Sequence, residues 1–96
     1  MKIRGFAHKG LERLFTYGDG RRLPPQCVDK VSKMLGFLQA MNDVVELRSL
    51  PTWRPHALSG DRSNVWSLVV TRNWRLTFRV DSVEGELFDL NFEDYH

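Results

Sequence analysis

Cysteine occurs once, at position 27, which excludes an internal disulfide and any zinc site built on paired thiolates. Its place in an apolar helical pattern marks it as a buried small hydrophobe. No apolar run approaches the roughly 20 residues needed to cross a bilayer. The opening MKIRGFAHKG has neither the apolar stretch nor the small-residue cleavage site of a secretory signal, so a cytosolic chain without a membrane segment is expected. Internal repeats, low-complexity tracts and linkers are missing as well, and 96 residues read as one domain over 1–96. A chain of that size buries roughly 60–65% of its unfolded surface. Lysine and arginine are absent from residues 80–96, which hold six acids, a balance of −6. All 14 bases lie in residues 1–79 beside six acids, a balance of +8, and ten of them are arginine. The arginine fork suits phosphate and its face stacks on bases. Charge alone fits both a nucleic-acid partner and the solvated faces of an ordinary basic domain.

Eleven aromatics and 42% hydrophobic residues supply a core. KIRGF at 2–6 reads as a short strand. Leu11, Leu14 and Phe15 at helical spacing predict a helix from about 8 to 17, closed by Gly18 and Gly20. Pro24 and Pro25 open a second helix, about 25–41, with Val28, Val31, Met34, Leu35, Leu38 and Met41 on one stripe. Gly36 within it lowers helix stability by about 1 kcal/mol relative to Ala, which suggests close packing on the first helix. DVVELRSL allows another helical turn, and residues 51–64, with two prolines and no period, read as an ordered loop. From 65 onwards the period becomes two. VWSLVV and WRLTFRV are strands joined by a tight turn at 71–73, and the last strand follows a turn at 81–86. Alternation turns Trp74, Leu76, Phe78 and Val80 inward, with Phe88, Leu90 and Phe92, and turns Asp89, Asn91 and Glu93 outward. The expected class is α+β, with a short N-terminal strand and two helices packed on one face of a small antiparallel sheet whose other face carries charge.

Pairing residues 74–80 with 86–92 around that turn gives partners summing to about 166, so Arg75 lies near Asn91 with an error of about two residues. Asp94, Tyr95 and His96 then run alongside Arg72 and Asn73, at the end of the sheet where the loop carrying His56 enters. Parity places Tyr95 on the polar face with Arg75. Two imidazoles, a carboxylate, a phenol and a guanidinium have a chemical use. Cutting RNA without a metal or other cofactor needs a base for the ribose 2′-OH, a cation for the phosphorane and an acid for the departing 5′-oxygen, leaving a 2′,3′-cyclic phosphate. Histidine performs either proton transfer near neutrality, and the residue pattern does not say which group is base and which is acid. Singly, each residue also has an ordinary structural role: a terminal Tyr-His pair as a frayed end, His56 as a loop residue, Arg75 as a cross-strand partner.

The order FAHKGLERLF, PPQCVDKV, LSGDRSNVWSLVVTRNWRLTF and terminal NFEDYH closely resembles the HigB family of the RelE/ParE toxin superfamily, over essentially the whole chain. The resemblance implies a ribosome-dependent mRNA interferase acting in the A site of the 70S ribosome, in contact with mRNA and rRNA. It also implies neutralisation in a hetero-oligomer by a HigA-like helix-turn-helix antitoxin. By position, the family's catalytic set falls on His56, Asp94, Tyr95 and His96, with Arg75 in the NWR segment. Arg21, Arg22, Arg54, Arg62, Arg72 and Asn73 are the implied RNA contacts. Ser59 departs from the pattern where related toxins carry lysine, leaving Arg54 or Arg62 to supply the contact. Two other readings stay open: a ParE-like DNA gyrase inhibitor, and a weakly catalytic relic that keeps only antitoxin binding.

Overall fold

The computed structural model describes residues 1–62 and 64–95. Strand β1, Lys2–Ile3, leads to helix α1, Lys9–Tyr17, and helix α2, Pro25–Ala40. Short 3-10 segments at Val44–Ser49 and Pro51–Trp53 precede strand β2, His56–Ala57, and another at Gly60–Arg62 precedes β3, Val65–Val69. Strands β4, Trp74–Asp81, and β5, Glu86–Asp94, complete one five-stranded sheet in the order β1-β5-β4-β3-β2. The meander β2 to β5 is antiparallel, and β1 adds to β5 in parallel.

Each helix begins and ends where its side chains allow. The His8 ring caps α1, its Nδ1 accepting from the Leu11 N–H at 3.2 Å, and Gly18 ends the helix in the left-handed region at φ 70°. Gly10 leaves room for that ring: a Cβ there would stand 2.7 Å from the His8 Cε1 atom. Pro25 occupies the first turn of α2, where a missing N–H costs nothing. Cys27, Val31, Met34, Leu35 and Leu38 face the core at intervals of three and four, and burial pushes the Cys27 thiol pKa up. They pack with Leu11 and Leu14 of α1 and with Leu68, Leu76, Phe78, Leu87, Leu90 and Phe92 of the sheet. Gly36 is a correction to the sequence reading. It is exposed, and a Cβ there would meet nothing within 4 Å, so packing on α1 is not what it provides.

A second correction concerns β5. Thr77 pairs with Asn91 but Arg79 pairs with Phe88, so β5 spends one more residue than β4 over this stretch, and Asp89 takes φ 52°. The bulge reverses the inward set beyond it. Leu87 is fully buried, while Phe88, expected inward, shares a row with Arg79 and lies under the Arg4 guanidinium, 4.5 Å from its ring centroid. Partners beside the turn sum to 167 and those beyond the bulge to 168, so Arg75 faces Glu93, two residues from Asn91 and within the error of the sequence reading.

Residues 51–64, read as a loop, hold a strand instead. Trp53 packs edge-on against Phe37 of α2 at 5.6 Å, and Arg54 turns the chain at φ 45°. His56 and Ala57 then pair with Ser67 and Trp66 at the sheet edge.

Candidate active site on the polar face of the sheet

The face away from the helices is organised by the register. His56, Ser67, Thr77 and Asn91 form one row across β2 to β5. Val69, Arg75 and Glu93 form the next row towards the β3–β4 turn. At that end the Tyr95 N–H donates to the Asn73 carbonyl at 2.6 Å, which extends the alignment of the tail with the turn beyond the last paired residues.

Arg75 is held from two sides. Its Nη1 donates to the carbonyls of Thr71 at 2.8 Å and of Arg72 and Trp74 at 3.1 Å, and its guanidinium carbon stands 5.0 Å from the Tyr95 ring centroid. Behind this pair, on the helix side, Trp74 and Phe92 stack at 4.5 Å with nearly parallel rings. Asp94 pairs with Trp74 in the ladder, so the pleat places it on the Trp74 and Phe92 face, opposite Arg75 and Tyr95. His96 lies outside the described residues.

His56 is exposed, and its Nδ1 is 3.1 Å from the Arg54 carbonyl oxygen. A carbonyl only accepts, so Nδ1 is the donor in this contact, and Nε2 is the ring nitrogen left for another partner. Two strands and two residues separate His56 from Arg75. With strands ~4.8 Å apart and ~3.4 Å of rise per residue, their Cα atoms are about 12 Å apart. Between them on this face lie Ser67 and Thr77, both buried, and half-buried Val69.

Two neighbouring groups, Glu93 and Thr77, were assigned no role from sequence, and Arg62, expected to contact RNA, engages one of them. The Glu93 carboxylate accepts two hydrogen bonds from Arg62, at 2.9 and 2.6 Å, and a third from the Thr77 hydroxyl at 2.5 Å. Burial alone would raise the Glu93 pKa, but the Arg62 and Thr77 hydrogen bonds outweigh it and leave the carboxyl below its ordinary value. The hydrogen bonds to Glu93 raise the Arg62 pKa against burial, with the charges of Glu93 and Tyr95 adding to the effect. A groove of about 250 Å³ lies here, lined by Arg62, Thr77, Arg79, Asn91 and Glu93 among others. The outward parity of Glu93 was legible; its partner, 31 residues away in an aperiodic segment, was not.

The remaining cations differ in their engagement. Arg21 is clamped on Asp19 at 2.9 and 3.1 Å, and Arg22 borders a groove on α1 with Lys9 and Arg13. Arg54, Arg72 and Asn73 are exposed, Arg72 and Asn73 in the turn just before Arg75, and Ser59 is exposed in the segment between β2 and β3. Among the described residues Arg54, Arg72 and Arg75 form no ion pair.

The family described as the RelE-like toxin of the type II toxin-antitoxin system HigB matches residues 4–96. The chain belongs to this family. The endoribonuclease HigB of Proteus vulgaris is 38% identical over 94 residues, 98% of this toxin and 99% of that protein. Among solved structures, a YoeB/ParE toxin from Agrobacterium tumefaciens aligns with TM-score 0.58 at 19% identity, over 97% of this toxin and 99% of that chain. A chain of the RelBE2 toxin-antitoxin complex from Mycobacterium tuberculosis aligns with TM-score 0.55 at 16% identity, over 99% and 96%. At those identities the likeness concerns the fold, which the toxin shares from β1 to β5.

Proposed function

We propose that this toxin is an endoribonuclease that cuts mRNA in the ribosomal A site by attack of the ribose 2′-OH on the adjacent phosphate, without a metal. Membership of the HigB toxin family and the likeness to an endoribonuclease HigB support the activity. The observation that carries the chemistry is that Arg75, fixed on the β3–β4 turn and on Tyr95, shares its side of the sheet with the exposed His56. In this reading His56 takes the 2′-OH proton, and Arg75 stabilises charge on the phosphorane. The Tyr95 ring offers a stacking face for a base. The resemblance counts Asp94 and His96 in the catalytic set, and in this reading His96 protonates the departing 5′-oxygen. Arg54, Arg72 and Asn73 hold flanking RNA, and Arg21 and Arg22 reach ribosomal RNA on the α1 side.

A type II toxin is held by an antitoxin protein, here a HigA-like helix-turn-helix partner in a cytoplasmic hetero-oligomer. Mapping transcript 5′ ends after induced expression tests the activity. Codon-phased new ends are expected, absent in His56→Ala and His96→Ala proteins that remain folded, with single-turnover rates reduced roughly 10²–10⁴-fold. Supercoiling defects with intact messages would replace this reading with gyrase inhibition.

A further inference from the structure

Arg62 reaches from the 3-10 segment before β3 to a carboxylate that the ladder sets directly opposite Arg75. Side chains at directly opposed positions of an antiparallel pair have Cβ atoms ~5 Å apart, so Glu93 and Arg75 are natural ion-pair partners. They do not pair. Both Glu93 oxygens are taken by Arg62, one of them also by Thr77, while Arg75 turns its Nη1 to backbone carbonyls and its face to Tyr95.

We propose that Arg62 is a positioning residue: by sequestering the Glu93 carboxylate, it keeps the Arg75 guanidinium available to a phosphate of the RNA substrate. The inference rests on Arg75 acting at the scissile phosphate. A carboxylate that is only 20% exposed needs a cation, and without Arg62 the cation within reach is Arg75. Their pairing would cancel the positive field that the phosphorane requires and leave an anion beside an anionic substrate. The Thr77 hydroxyl holds the carboxylate towards Arg62. Direct contact between Arg62 and RNA is the competing account, and it differs in one respect: loss of a direct contact is not repaired by removing Glu93.

The test compares single-turnover cleavage of mRNA on ribosomes by Arg62→Met, Glu93→Gln and the double variant, with thermal melts confirming that each is folded. Arg62→Met is expected to cleave at least tenfold more slowly, and adding Glu93→Gln is expected to restore the rate to within about threefold of the Glu93→Gln single variant. A double variant as slow as Arg62→Met, or an Arg62→Met protein as fast as wild type, overturns the proposal. A wild-type protein that does not cleave would refute the nuclease reading instead, and a second measurement then decides the inference. Titrating the Glu93 carboxyl by carbon-detected NMR is expected to show a pKa that stays low in Arg62→Met and rises once Arg75→Met is added. Equally raised values in both proteins would show that Glu93 never turns to Arg75, and would overturn the proposal.

Discussion

The Arg75 guanidinium joins the β3–β4 turn to the end of β5, so its geometry matters as much as its charge. Nη1 serves three carbonyls of the turn while the planar face rests over Tyr95. Lysine keeps the charge but has neither the fork nor the plane. Arg75→Lys is therefore expected to lose about 1–2 kcal/mol in urea denaturation through weakened charged hydrogen bonds. Its cleavage rate is expected to fall at least tenfold; a wild-type rate would show that a point charge suffices there. Sequence parity alone put Tyr95 beside Arg75, because alternation continues through the last strand. Glu93 was placed on the correct face by the same rule. Its engagement by Arg62 was out of reach, since the segment supplying Arg62 has no period from which to read a contact.

The helices and strands add their own expectations. His8 caps α1 only with an unprotonated Nδ1, and burial holds its pKa below the ordinary value of about 6.5. A depressed folded pKa means that the unfolded chain binds the proton first as pH falls. The cap's contribution is then present in full above about pH 6.5 and is lost as pH drops towards and through the folded value. Urea melts are expected to show stability declining from pH 7.5 to 5.5, above the range where carboxylates titrate. His8→Asn, which caps without titrating there, should flatten that decline; an unchanged slope would assign it to another group. In α2, Gly36 is interior to the helix, exposed and open around its Cα, so Gly36→Ala is expected to raise stability by about 0.5–1 kcal/mol. Both helices and strands β3 and β4 were legible because their apolar periods run unbroken, and β5 because its alternation holds from Leu90 onwards. The Phe88 face was not. A bulge at Asp89 inserts one residue without any glycine or proline to announce it, and the period inverts beyond that point. The short β2 escaped notice for a different reason: two residues are too few to show alternation, and pairing with β3 rather than local propensity makes them a strand.

Over the whole molecule, the acidic end of the chain does not form an acidic surface, because β5 lies inside the sheet between β1 and β4. Glu86, Asp89 and Glu93 of β5, with Asp81 at the end of β4, are met by bases from elsewhere. Lys2 and Arg4 reach Glu86, Arg4 also reaches Asp81, Arg79 reaches Asp89, and Arg62 reaches Glu93. Folding thus consumes much of the −6 segment against bases of the +8 body. Arg54, Arg72 and Arg75 form no ion pair among the described residues, and Arg72 and Arg75 sit together at the β3–β4 end of the sheet. Cations not neutralised by a carboxylate release counterions when they meet phosphate, and each contributes roughly 0.7–0.9 to the slope of log affinity against log salt. Ribosome binding measured across a potassium chloride series is expected to lose about that much slope in Arg54→Ala and in Arg72→Ala. Lys33→Ala is expected to lose little, because Lys33 is spaced one helical turn from Asp29 and bonded to it at 3.1 Å. Arg62→Ala belongs with Lys33→Ala if the Arg62 charge is spent on Glu93, and with Arg54→Ala if it reaches RNA. The same series therefore separates cations that the fold leaves for the substrate from those it has already used.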